Sequence, residues 1–284
     1  MSYFASKILN IPETLCIISE CWSKAEENLR NDIRDNYPDI DEECITQLFH
    51  RQFSKELRLK SKENAIAKAF LDDLKQHFPF LKSRIEVLKI FQGLVADVTL
   101  HNRRTEGKTG GDFGFVIKRP QVKYYCSAIK TSLKISDYPR GILCQAKLKT
   151  ANGKWGAFTK KQRSGLPGRL QYIALLLYSY EDDERHFLHP FKWQRCDFPS
   201  LSFEQIKEWL KKDSFPSLED SGGIIKQLGN RDIGTDDANE LKEIISPKNN
   251  RSLIVRIYWP DDKHPGSEVL ITRRTQIKPQ VSAE

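Results

Sequence analysis

Paired cysteines, long apolar runs and nucleotide-binding glycine motifs are all missing from this sequence. The six cysteines include no Cys-x-x-Cys pair, so we expect free thiols rather than a zinc site or a disulfide framework. The longest apolar run, residues 172–178, is far too short to span a bilayer, and no signal peptide begins the chain. Gly222-Gly223 is not followed by Lys-Ser or Lys-Thr, and no P-loop or dinucleotide fingerprint occurs elsewhere. The sequence therefore predicts a cytoplasmic protein with no membrane partner.

The composition is that of a soluble globular protein. The chain has 284 residues, of which 39% are hydrophobic and 30% are charged, a length that suits one large domain or two small ones. Lys and Arg number 46 against 38 Asp and Glu, which gives a formal net charge of +8. Positive charge favours a polyanionic partner, because neutralised phosphates release counterions. Many basic proteins bind no nucleic acid, so the charge alone does not establish a nucleic-acid partner.

Hydrophobic periodicity predicts helices in the first third of the chain and strands in the middle. Apolar residues recur at a helical period over 15–29, 45–53 and 65–74, with Asp41 as the N-cap of the second helix. Strands are predicted near 85–91, 94–100, 112–119, 121–135, 141–149 and 172–180. The remainder mixes helices near 203–213, 218–228 and 236–245 with strands near 252–259 and 268–274. We divide the chain into a helical part (1–80), a core (81–200) and a C-terminal α/β extension (201–284), unless all three form one domain.

Two segments contain the residues with the clearest chemical potential. Asp112 follows two glycines and begins an apolar strand, and Gln145-Ala146-Lys147 ends another. Residues two apart on a strand point to the same face, so Gln145 and Lys147 project together. An acid beside a hydrophobic strand is costly unless it is paired or bound to a metal. If the two strands are neighbours, Asp112, Gln145 and Lys147 converge at one end of the sheet.

These three side chains suit the hydrolysis of a phosphodiester. Asp112 offers a carboxylate oxygen to Mg²⁺, and Gln145 offers an amide oxygen to the same ion. Lys147 can orient or help to deprotonate the attacking water and offset charge on the phosphate. Simpler roles are also open, because Asp112 can cap a turn and Lys147 can extend its ammonium to solvent from the end of a strand.

Asp112 followed by Gln145-Ala146-Lys147 on a later strand resembles the D…(D/E/Q)xK signature of PD-(D/E)xK nucleases. The QxK form resembles their Mrr-like branch of restriction and antiviral nucleases. The likeness covers residues 41–180, and Gly111 stands where the literal motif has proline. It implies an α/β fold with a restriction-endonuclease-like mixed central β-sheet flanked by helices, and residues 81–200 as the nuclease core. It also implies a metal-dependent endonuclease that uses Mg²⁺, or Mn²⁺ as a substitute, to cleave DNA rather than RNA in prokaryotic genome defence.

The resemblance further predicts a glutamate on a helix that precedes the sheet. Gln145 is neutral, so a second carboxylate is needed to hold a divalent cation firmly. Glu43 is the first candidate for this metal ligand and catalytic residue, with Glu106 and Asp97 as alternatives. Glu42 and Glu43 can equally complement the N-terminus of the second helix.

Basic residues interleaved with aromatic ones follow the Gln145-Ala146-Lys147 strand. Such a mixture suits contacts with a phosphate backbone, although a solvated face explains it as well. The predicted nucleic-acid contacts are Lys154, Lys160, Lys161, Arg163 and Arg169, and Gln162 is expected beside the site. Nucleic acid is thus the expected partner, with a homodimer or an accessory defence protein left open. The alternatives are a non-catalytic nucleic-acid-binding protein on a degenerate nuclease fold, and a structural protein in which these motifs are accidental.

Overall fold

The structure is a computed structural model that describes residues 3–8, 11–36, 40–63, 65–77, 94–96, 99–100, 111–126, 130–150, 152–181, 184–244, 253–257 and 268–272. The helices are α1 (Pro12–Asn36), α2 (Glu42–Lys62), α3 (Ala65–His77), α4 (Lys160–Gly165), α5 (Phe203–Lys212), α6 (Gly223–Asn230) and α7 (Ala238–Ile244), with a 3-10 helix over Pro167–Tyr172. The strands are β1 (Tyr3–Ile8), β2 (Leu94–Ala96), β3 (Thr99–Leu100), β4 (Phe113–Cys126), β5 (Lys130–Lys149), β6 (Ile173–Glu181), β7 (Glu184–Leu188), β8 (Lys192–Arg195), β9 (Leu218–Asp220), β10 (Leu253–Ile257) and β11 (Glu268–Thr272).

The three N-terminal helices form where the apolar periodicity predicts them. The apolar residues of α1 form one buried stripe, as expected of a helix that packs on a core. The buried carboxylate of Asp73 in α3 accepts hydrogen bonds from the backbone N–H groups of Glu13 (3.0 Å) and Thr14 (2.9 Å), donors that the first helical turn leaves free. Asp41 is the N-cap predicted for α2, since its carboxylate accepts a bond from Cys44 N at 2.8 Å.

The strands form a mixed sheet in the order β2-β10-β4-β5-β6-β8-β9. β4 and β5 are an antiparallel hairpin, β5 and β6 are parallel, and β6 and β8 are antiparallel. The C-terminal strand β10 lies parallel to β4, and β1 and β11 pair with β4 and β5. Strands from all three predicted parts of the chain therefore belong to one sheet.

Apolar side chains cover both faces of this sheet. One core contains α1, α2 and the residues of β5 that include Cys144 and Ala146. The other contains α5, α7 and the alternate residues of the strands, such as Leu143 and Leu175. Gly114 lets α7 approach β4, because a Cβ there would lie 2.3 Å from the carbonyl oxygen of Ile244. The predicted coarse class, a mixed α/β fold with helices on both sides of a sheet, is confirmed.

Two of the predicted element boundaries are wrong. The segment 121–135 is divided between β4 and β5, which pass through Pro120 and Pro139 as continuous strands. Proline removes one N–H donor, so a strand can contain it where the ladder does not need that donor. The predicted helix over 218–228 begins as strand β9, and α6 starts only at Gly223. The strand predicted near 85–91 lies outside the described residues.

No helix in the described ranges is long and apolar enough to cross a membrane.

Candidate active site

The candidate site lies where β5 runs beyond the end of its ladder with β4. That ladder stops at the pair Phe113–Cys144, whereas β5 continues to Lys149. On its other side, β5 pairs with β6 as far as Lys149. This extension of β5, residues 145–149, therefore presents backbone N–H groups that need partners other than β4.

Asp112 binds the first of these backbone N–H groups, that of Ala146. Its carboxylate Oδ2 accepts a hydrogen bond from Ala146 N at 2.6 Å, and its own N–H donates to the carbonyl of Cys144 at 2.8 Å. Gly111 permits this close approach, since a Cβ there would lie 3.1 Å from Leu143 Cδ2. The predicted adjacency of the two motif segments is confirmed, and the acid is fixed beside β5 by the backbone itself.

Glu42, in the first turn of α2, binds a second of these backbone N–H groups, that of Leu148. Its Oε2 accepts a hydrogen bond from Leu148 N at 2.9 Å, and its Oε1 lies 3.3 Å from the ammonium Nζ of Lys147. Gly156 lies against the same carboxylate, because a Cβ there would be 3.3 Å from Glu42 Oε2. Two carboxylates, from Asp112 and Glu42, are thus aligned along the same edge of β5.

Gln145 is completely buried and contacts Asp112 directly. Its amide Nε2 donates to Asp112 Oδ2 at 2.6 Å and to the carbonyl of Ala146 at 2.9 Å. Its Oε1 is buried and has no hydrogen-bond partner among the described residues. A buried acceptor without a partner is uncommon and costs free energy, which either a bound cation or an ordered water would offset. The carboxylate of Asp112 and this amide oxygen are the hard oxygen donors that Mg²⁺ prefers, and the residues present therefore fit such an ion.

Lys147 is only 2% exposed, which is unusual for a charged side chain. Besides Glu42, its ammonium lies 4.9 Å from the centre of the Phe158 ring, a distance typical of a cation–π contact. Lys147 is two residues from Gln145 on the same strand, so both side chains share one face, as the sequence predicts. The charged group is held in place by an anion on one side and an aromatic ring on the other.

The glutamate that reaches the site is Glu42, whereas the sequence analysis favoured Glu43. Glu43 is exposed, and its Oε1 accepts a hydrogen bond from Gln47 Nε2 at 3.2 Å. Successive residues of an α-helix point about 100° apart, so only one of two adjacent glutamates can face β5. The packing of Ile45 and Phe49 into the core sets the rotation of α2 and turns Glu42 towards the site. The alternatives Glu106 and Asp97 lie outside the described residues.

A buried tyrosine lies beside the first turn of α2. Burial raises the pKa of Tyr178 well above its usual range, the negative charges of Asp112 and Glu42 raise it further, and the hydrogen bond with Thr46 lowers it. The hydroxyls of Tyr178 and Thr46 are 3.3 Å apart, and Thr46 Oγ1 donates to the carbonyl of Glu42 at 2.9 Å. This connection anchors the first turn of α2 to the sheet.

The three buried cysteines of the described residues are unsuited to act as nucleophiles. Burial raises the pKa of Cys21 to about 12 and raises that of Cys144 and Cys196 further still. A thiol acts as a nucleophile only when it ionises near neutral pH. No three His, Cys, Asp or Glu side chains of the described ranges form a metal-binding group. The oxygen donors at the site are thus a carboxylate and amide set rather than a cluster of acids.

Some of the predicted nucleic-acid contacts bind other groups of the protein, whereas others are exposed on its surface. Arg169 forms a bidentate pair with Glu243, at 2.7 and 3.0 Å, and thereby attaches the 3-10 helix to α7. Arg163 Nε donates to the carbonyl of Phe158 at 3.0 Å. Lys154 and Lys160 are exposed on either side of the segment that contains Phe158. Lys161 lies in α4, and the structure does not describe its side chain.

Gln162, expected beside the site, is buried at the N-terminus of α4. Its Oε1 accepts a hydrogen bond from Thr159 N at 2.9 Å, and the hydroxyl of Thr159 accepts one from Gln162 N at 3.2 Å. This reciprocal pair is a capping box, which accounts for the start of α4 directly after Phe158.

Comparison with known proteins adds no relative to this description. No family model matches the chain, and searches of curated proteins and of solved structures give no significant match.

Proposed function

We propose that this protein is a Mg²⁺-dependent nuclease that hydrolyses phosphodiester bonds of DNA at the end of β5. The main support is the buried, unpartnered Oε1 of Gln145 next to the carboxylate of Asp112, with the ammonium of Lys147 on the same face of the same strand. Oxygen donors for a cation and a fixed positive charge are the groups that phosphodiester hydrolysis requires.

Each residue has a role in the proposed reaction. Asp112 and Gln145 hold the metal ion, which, when bound, lowers the pKa of a water molecule and polarises the phosphate. Lys147 orients the attacking water and offsets the negative charge that develops on the phosphate oxygens. Glu42 provides the opposite charge for the buried ammonium of Lys147, with 3.3 Å between Glu42 Oε1 and Lys147 Nζ. Mn²⁺ is expected to replace Mg²⁺, since both take oxygen ligands.

The surface beside the site is suited to the phosphate backbone. Lys154 and Lys160 are exposed next to Phe158, which contacts Lys147. Lys149 is 30% exposed and faces the same way as Lys147, although Asp213 accepts a hydrogen bond from it at 2.6 Å. With a formal net charge of +8, the chain would attract DNA by counterion release. A role in prokaryotic genome defence, in the cytoplasm, is proposed from the family resemblance alone.

A non-catalytic nucleic-acid-binding protein is the second candidate function. One observation favours it: Asp112 and Glu42 both accept hydrogen bonds from the backbone of β5, which is a structural role for each acid. If these acids only stabilise the end of β5, the protein binds nucleic acid without cleaving it.

A cleavage assay on purified protein distinguishes the two candidates. Supercoiled plasmid, single-stranded DNA and RNA would be incubated with Mg²⁺, with Mn²⁺ and with EDTA. We expect metal-dependent cleavage of DNA by the wild type and its loss in Lys147→Met, which keeps the length of the side chain but removes the charge. The matched control is Lys24→Met, which replaces an exposed lysine of α1 that is not among the predicted nucleic-acid contacts. Absence of cleavage under all conditions, together with salt-sensitive DNA binding, would favour the non-catalytic candidate.

A further inference from the structure

A groove of about 460 Å³ lies away from the residues described above, between α1 and the segments around β8 and α6. One wall is the exposed side of α1, with Ser19, Ser23 and Arg30. The other wall is made by residues 190–191, 220–223 and 226. This volume falls within the range typical of sites for small molecules, roughly 300–1,000 Å³.

The floor of the groove is a rigid, buried polar network. Glu26 is 8% exposed, and its Oε1 and Oε2 accept hydrogen bonds from Phe191 N at 2.7 Å and Ser221 Oγ at 2.6 Å. Trp22 Nε1 donates to the same serine oxygen at 2.8 Å. Ser19 Oγ donates to the carbonyl of Gly222 at 2.9 Å, which ties the two walls together. The shape of the groove is therefore set before any ligand binds.

The three acids at the groove are already engaged. Glu27 is paired with Lys24 at 2.8 Å, and Asp220 is paired with Lys192. Glu26 uses both oxygens in the floor network, and burial raises its pKa. These carboxylates are consequently poor partners for a cationic ligand.

The two cations that line the groove form no close ion pair among the described residues, although the charge of Arg30 also attracts Glu26 and Glu27 on the same helix. Arg30 donates through Nε to the carbonyl of Leu188 at 2.7 Å, which fixes the guanidinium and leaves its two Nη groups available. Neither Arg30 nor Lys226 forms an ion pair with a carboxylate of the described residues. The hydroxyl of Ser23 lies on the same wall as Arg30 and has no hydrogen-bond partner in those same ranges. Fixed positive charge and free hydroxyl donors are the groups that bind phosphate.

We propose that this groove is a binding site for a small phosphomonoester, with its phosphate held by Arg30, Lys226 and the hydroxyl of Ser23, and with a ligand hydroxyl donating to Ser19 Oγ. The apolar wall at Pro190 and Phe191 would face the carbon skeleton of the ligand. The same phosphate chemistry also exists at the phosphorylated end of a nucleic-acid strand, so the experiment must separate a free metabolite from such an end. This site does not depend on the proposed nuclease activity.

Isothermal titration with ribose 5-phosphate tests the proposal, with ribose and a 5′-phosphorylated trinucleotide as comparison ligands. Arg30→Gln and Lys226→Gln should each raise the Kd for ribose 5-phosphate about tenfold, since each removes one charge-assisted contact. Lys211→Gln, which removes an exposed lysine of α5 that does not line the groove, is the matched control and should leave the Kd unchanged. The side chain of Lys226 makes no polar contact with the described residues, so Lys226→Gln is expected to fold even if Arg30→Gln does not.

Three results would overturn the proposal. The first is equal affinity for ribose and ribose 5-phosphate, since the phosphate would then contribute nothing. The second is binding of the trinucleotide without binding of ribose 5-phosphate, which would assign the groove to nucleic acid. The third is the same loss of affinity in Lys211→Gln as in Lys226→Gln, which would indicate diffuse attraction to a basic surface.

Discussion

Replacing Glu42 by glutamine should impair catalysis and stability together, and the adjacent Glu43 offers a matched control. Glutamine keeps the size of the side chain and one oxygen for the bond from Leu148 N. It removes the negative charge that lies 3.3 Å from the ammonium of Lys147. The variant therefore isolates the charge of Glu42 from its contribution to packing.

The magnitude of the effect on stability follows from the burial of the two partners. At 3.3 Å the gross attraction is about 5 kcal/mol with an effective dielectric constant of about 20. Breaking a fully buried pair costs about 3–5 kcal/mol, because one charge is left without a partner. Lys147 is 2% exposed but Glu42 is 26% exposed, so water screens part of the attraction. We expect the free energy of unfolding to fall by about 1–3 kcal/mol.

The assays are urea unfolding at neutral pH and cleavage of DNA at saturating Mg²⁺. For Glu42→Gln we expect kcat to fall about 10–100-fold, as for residues that orient the groups of a metal site. For Glu43→Gln we expect unchanged cleavage and a change in stability within about 0.5 kcal/mol, because Glu43 is exposed and its hydrogen bond from Gln47 lies on the surface of α2.

Two outcomes would refute this reasoning. Unchanged cleavage by Glu42→Gln would show that the charge next to Lys147 has no part in the reaction. A loss of cleavage confined to Glu43→Gln would restore Glu43 as the functional glutamate and would mean that α2 has a different rotation in the active protein.

Three further predictions concern other parts of the molecule. Asp112→Asn should abolish cleavage but leave a folded protein, since asparagine can still accept the bond from Ala146 N; measurable cleavage would contradict this. Folding raises the pKa of Glu26, so its contribution to stability is complete below the unfolded pKa and is lost as pH rises through the folded pKa. In urea unfolding from pH 4 to 7, the wild type should therefore lose stability relative to Glu26→Gln. Parallel stability profiles of the two proteins would contradict this prediction. Binding to duplex DNA should weaken steeply with added salt, and a flat dependence would exclude phosphate contacts as the main attraction.

Much of the site could be predicted from the sequence, because the alternation of side chains along a strand depends only on neighbouring residues. The alternation of side chains along a strand places Gln145 and Lys147 on one face wherever β5 lies in the fold. Two glycines before Asp112 indicate a close approach of backbones, and the structure shows that contact at Gly111. The apolar periods likewise located α1, α2 and α3.

The choice between Glu42 and Glu43 could not be made from the sequence. Both residues lie in the first turn of α2, and the one that faces β5 depends on how α2 is rotated against the core. The short strands β1, β8 and β9 were also missed, because three to six residues are too few to show a clear alternation and their pairing is with distant parts of the chain. Tertiary packing therefore determines which glutamate faces β5 and where the short strands form, and local sequence patterns do not encode it.

The central proposal is that Asp112 and Gln145 hold a divalent cation beside Lys147, and anomalous diffraction from crystals soaked in Mn²⁺ tests it most directly. We predict an anomalous peak within bonding distance of an Asp112 carboxylate oxygen and Gln145 Oε1, about 2.0–2.2 Å by analogy with Mg²⁺. The peak should disappear in crystals of Asp112→Asn. A site that stays empty at saturating Mn²⁺, or a peak with no ligand from either residue, would contradict the proposal.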